Sequence, residues 1–117
     1  MLSIPVTRAV VFHDDDLFDM LSHGFEYLSW GHAVSGPNAL GRLCKGDDKA
    51  VVVVEVTQEG YPGDLVRWCS VAELKHALDY IAQHEPSRFD RLARGQYDIY
   101  DVDVLLQRWI LNGHFFA

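Results

Sequence analysis

The chain's apolar residues fall into two rhythms. The densest run, Ala50-Val51-Val52-Val53-Val54-Glu55-Val56, is β-branched almost throughout and is bounded by Gly46-Asp47-Asp48 and Gly60-Tyr61-Pro62-Gly63. Such a run predicts a mid-sheet strand buried on both faces over most of its length. Val6–Phe12 predicts a second strand, with Pro5 at its start. Leu65-Val66-Arg67-Trp68-Cys69 predicts a half-buried partner for the Val-rich strand, and the short Pro-Gly connection makes the pair an antiparallel hairpin.

The helical rhythm appears three times with clear signals. From Asp15 to Trp30, residues Leu17, Phe18, Met20, Leu21, Gly24, Phe25 and Leu28 share one arc, with Gly31 as the expected left-handed terminator. Ser70-Val71-Ala72-Glu73 has the form of a capping box, and its helix should run to Gln83 or His84, before Pro86. The last helix should span Ile99 to Asn112, capped by Asp98 and ended by Gly113. Its main arc is Ile99, Val102, Leu105, Leu106, Trp109 and Ile110. A second stripe, Tyr100, Val104 and Leu111, implies either a sandwiched helix or one that offers apolar surface to a partner. A shorter helix is expected from Arg88 to Arg94, capped by Ser87. Between His32 and Lys49 periodicity fails, and Gly41–Lys45 is the best candidate for a concealed strand. These elements make a single α+β domain over residues 1–117: an antiparallel or mixed sheet of three to five strands centred on residues 50–57, helices mainly on one face, and a helical C-terminal half.

Composition narrows the function. The 49% hydrophobic content supports a self-sufficient core, and the formal charge of −7 repels nucleic-acid backbones and anionic membranes while favouring a protein partner with a basic surface. The apolar runs are too short for a membrane span. Cys44 and Cys69 stand outside any metal-binding spacing, and the N-terminal residues form no leader, so the chain reads as cytoplasmic with reduced thiols.

No nucleotide, protease, hydrolase or calcium-binding motif is present, and no cofactor is expected. His13-Asp14-Asp15-Asp16 is the first place to seek a metal or an acid–base pair, but carboxylates at a strand-to-helix junction are explained by one capping the helix and the others facing its dipole. The six histidines include no helical pair at zinc-binding spacing, so no metal site is expected. Arg88, Arg91 and Arg94 make a basic face that either grips an anion or pairs with Asp90 and its neighbours.

The stronger signals are aromatic and acidic residues expected at the surface. Tyr27 and Trp30 fall on or near the solvent side of the first long helix, and Tyr80 on that of the Ser70 helix. With Asp98, Tyr100, Asp101, Val104, Leu111, Phe115 and Phe116 they form the expected partner-binding set. The reading is a non-catalytic acidic binding module of the inhibitor, immunity or phage-antagonist type, occupying a surface such as a basic nucleic-acid-binding groove on a larger partner. The alternatives are a small metal-dependent hydrolase at His13 and Asp14–Asp16, or a subunit that homodimerises through the last helix.

Overall fold

In the computed structural model, which describes residues 2–5 and 9–116 with Pro5 and Ala9 as backbone only, strand β1 (Leu2–Pro5) pairs antiparallel with β2 (Ala9–Phe12). Leu2 sits opposite Phe12, and both are buried with Ile4 while Ser3 and Val11 face out. The strand expected over Val6–Phe12 is therefore shorter; Val6, Thr7 and Arg8 lie outside the described residues.

Helix α1 (Asp14–Glu26) begins at His13, which makes no side-chain cap. All three aspartates lie in the first turn, where they complement the helix dipole, so none holds the capping position expected of it. The helix ends four residues before Trp30 because the following chain is recruited by the sheet. Gly31 opens strand β3 (Gly31–Ala33) opposite Val56, and a Cβ there would meet the Glu55 carbonyl at 2.5 Å. Close backbone approach, not a left-handed helix cap, is what this glycine provides.

The aperiodic stretch contains β3 and helix α2 (Pro37–Cys44), not a strand at Gly41–Lys45. Pro37 occupies the helix's first turn, where its missing N–H is harmless, and Leu40, Leu43 and Cys44 are buried at helical spacing. Strand β4 (Val52–Val56) is then central in an antiparallel sheet ordered β3-β4-β5, with β5 covering Val66–Cys69. Val52 opposes Cys69 and Val54 opposes Arg67. This is the expected hairpin and the expected central strand. Burial on both faces is corrected, however: Val52, Val54 and Val56 are buried, whereas Val51 and Glu55 are exposed and Val53 is half-buried.

Helix α3 (Val71–His84) carries the anticipated capping box between Ser70 and Glu73. Helix α4 (Pro86–Ala93) starts earlier than expected, with Glu85 rather than Ser87 at its cap and Pro86 in its first turn. Helix α5 (Ile99–Leu106) is capped by Asp98 through a reciprocal box with Asp101, and continues as a π-helical turn over Gln107–Leu111. Asn112, at φ 57°, supplies the left-handed terminator in place of Gly113.

Most of both stripes of this last helix goes into the domain: Val102, Leu105, Leu106, Trp109 and Ile110 are buried, and so are Val104 and Leu111, while Ile99 and Tyr100 in the first turn stay exposed. α1 crosses α5 at Gly24, whose absent side chain leaves room for Val102 and Leu106; a Cβ would lie 2.5 Å from Val102 Cγ1. The helices and the β1–β2 hairpin thus share one core with the inner face of the three-stranded sheet, leaving its outer face uncovered. Among the described residues no helix is long and apolar enough to cross a membrane.

Candidate interaction surface

Strand alternation places His32, Glu55 and Val66 side by side on the outer sheet face, with Val53 beside Trp68 one pleat away. Beyond β3, Val34 donates its N–H to the Val53 carbonyl at 2.8 Å and extends the same row. A solvent-facing antiparallel sheet ordinarily carries polar residues at these positions. Here Trp68 is 68% exposed, Val34 53% and Val66 47%, with Val51 exposed on the same side. Glu55 sits among these residues, its Oε2 3.7 Å from His32 Nε2. The result is an exposed apolar strip with one large aromatic and one central acidic group.

The residues expected to form the interface divide in two. Tyr27, Tyr80, Asp98, Tyr100 and Phe115 are at the surface, but they do not form one patch. Tyr27 and Tyr100 border a shallow depression of about 190 Å³ with Asp103. Tyr80 lies under the Arg108 guanidinium, and Phe115 packs edge-on against Tyr61 at 5.2 Å.

The other five are buried. Trp30, released from the helix, donates from Nε1 to Asp103 Oδ1 at 2.8 Å and stacks on Phe116. Phe116 is also held through its N–H by Gln107 Oε1 at 2.9 Å. Val104 and Leu111 are inside because α5 is covered on both sides, so they are not available to a dimer interface. Asp101 accepts from Arg91 at 2.7 and 2.8 Å and from Arg88 at 3.1 Å. The Arg91 hydrogen bonds in particular hold its carboxyl down at about 2 against the opposing effect of burial.

That cluster also accounts for the arginine row. Arg88 bonds Glu85 as well as Asp101, and Arg94 pairs with Asp90 at 3.0 Å, so the three bases are engaged within the domain. The partner the sequence did not disclose was Asp101, brought from α5. Outer-face residues Val34, Val51, Val66 and Trp68 were missed because β5 alternates on either reading; only the packing of helices against Cys69 and the inner valines decides which side is open.

The His13 junction borders a cleft of about 320 Å³ that includes Asp16, Asp19, Arg94 and Tyr97. Burial, with Asp19 and Asp16 nearby, pushes the Tyr97 hydroxyl above its ordinary range. None of the described residues lining this cleft comes from the 32–49 segment, and no group of three or more potential ligands among the described residues is arranged to hold a metal ion. Cys44 and Cys69 are free and buried, and burial pushes both thiols up to about 12, which leaves them poor nucleophiles at neutral pH. No protein-family model matches this sequence, and no curated protein or solved structure matches it either.

Proposed function

We propose that the chain is a non-catalytic protein-binding module that docks through the outer face of β3-β4-β5 onto a partner offering an apolar recess edged by basic groups. The observation that carries this reading is Trp68, exposed on a regular strand and flanked by valines. Charge selects the partner. The molecule carries −7 overall, Glu55 lies within the face, and the adjoining turns bear Asp48, Glu59 and Asp64, so a basic rim is attracted while a second copy of the chain is repelled. An inhibitor or antagonist that masks a basic groove of a nucleic-acid-handling complex is the role that suits this size and charge.

The test is capture from native lysate at low and moderate salt with tagged wild type, Trp68→Glu and Val66→Glu, each checked for a native circular dichroism spectrum. A stoichiometric partner held by wild type, weakened by salt and lost by both variants is the expected result. A partner retained equally by the variants would place the interface elsewhere. Absence of any partner at both salts would remove the reading.

A further inference from the structure

The cleft between α3, β5 and the π turn holds a second kind of chemistry. It has a volume of about 470 Å³ and is lined by Arg67, Glu73, His76, Tyr80, Arg108 and Asn112, among others. In a chain with more acids than bases, arginines are expected to be taken up by carboxylates, and Arg42, Arg88, Arg91 and Arg94 are. Arg67 and Arg108 have no carboxylate among the described residues within 4.0 Å, the distance of a salt bridge, and both face this one cleft.

Their placement is held by the surrounding structure. Arg67 alternates on β5 with Val66 and Trp68 and so projects to the opposite side of the sheet, where its Nε donates to the Ile110 carbonyl at 2.9 Å. That bond fixes the guanidinium and leaves its terminal nitrogens without a hydrogen bond among the described residues. Arg108 lies over Tyr80, its guanidinium carbon 4.0 Å from the ring centroid, and its Nε is buried with no hydrogen-bond partner among the described residues. The cation–π contact positions the guanidinium, and the unpaired N–H is a donor already withdrawn from water. Arg108 belongs to the π-helical turn, a local widening found frequently at functional sites. The single opposing carboxylate, Glu73, already accepts from the Ser70 N–H and hydroxyl.

We infer that this cleft is an oxyanion site that takes the phosphate or carboxylate group of a small molecule, with the guanidinium forks of Arg67 and Arg108 as its recognition elements and His76 and Asn112 as neighbouring polar groups. Planar donors of this kind match both anions, and the volume is that of a small-molecule pocket. The site is separate from the outer sheet face, so it stands or falls without the docking reading.

The experiment is a titration of ¹⁵N-labelled protein with sodium phosphate and, separately, sodium succinate at constant ionic strength, following the arginine Nε–H signals and the backbone signals of Tyr80 and Asn112. Saturable displacement of the Arg108 Nε–H by either anion is expected, the tighter one naming the source of the oxyanion group. Arg108→Gln should weaken binding at least tenfold, Arg108→Lys should weaken it at least threefold, and Trp68→Glu should titrate like wild type. No saturable shift with either anion, or an unchanged curve in the folded lysine variant, would overturn the assignment.

Discussion

Asp101, 1% exposed, receives hydrogen bonds from two arginines of α4 and from the Asp98 N–H in the capping box of its own helix. Its pKa falls from 3.8 to about 2, so the folded state binds this proton less readily than the unfolded chain. The stabilisation is present above pH ~4 and is lost as pH falls through the folded value, an effect of about 2 kcal/mol. Urea unfolding between pH 5 and pH 2 should show that decline. Asp101→Asn should cost about 1–3 kcal/mol at pH 7, because it weakens charge-assisted hydrogen bonds to two arginines while Arg88 keeps Glu85 and Arg91 is partly solvated, and should flatten the acid limb. A variant with unchanged stability would mean that the buried pair contributes nothing net. The tryptophans make a second contrast at this scale. Trp30→Ala should destabilise by about 3–5 kcal/mol, since its ring is enclosed and its indole nitrogen bonded. Trp68→Ala should fall within about 0.5 kcal/mol of wild type in the same unfolding assay, because little packs on it. The thiols behave as buried groups too: Cys44 and Cys69 should react with a disulfide reagent at pH 8 only as fast as the protein opens, and rapid modification in native buffer would contradict their enclosure.

Between elements, α1 and α5 cross closely at Gly24. Gly24→Ala gains helix propensity, worth about 1 kcal/mol on an isolated helix, yet its methyl must displace Val102 and Leu106. Overpacking of this kind costs about 1–3 kcal/mol, so thermal unfolding should occur at lower temperature, and Val102→Ala in the same chain should recover part of the loss. Elements governed by local chemistry were legible beforehand: the Ser70–Glu73 box, the Asp98 cap and the Val-rich central strand each carry their signal within a few residues. Elements settled by distant partners were not. α1 stops where it does because Gly31 pairs with β4, and α2 is too short for its Leu40–Leu43–Cys44 spacing to stand out among glycines. The π turn likewise has no local sequence signature.

At the scale of the molecule, the candidate surface depends on which sheet face the helices leave bare, a property no single segment encodes. The aromatic content led to an expectation of exposed Trp30 and Phe116, but these are buried while Trp68 is exposed. Sedimentation at micromolar concentration should give a single 13.3 kDa species, since the face that would self-associate belongs to a body carrying −7. A dimer that Trp68→Glu dissolves would instead make the chain its own partner. The three tryptophans have one further consequence. Trp30 and Trp109 are enclosed, their indole nitrogens bonded to Asp103 and to the Ser70 carbonyl, whereas Trp68 stands in solvent. An aqueous quencher should therefore extinguish the emission of Trp68 first and leave two steady signals behind. The outer face carries its own optical probe and the core its reference, so the proposed docking could be followed by light without attaching a label.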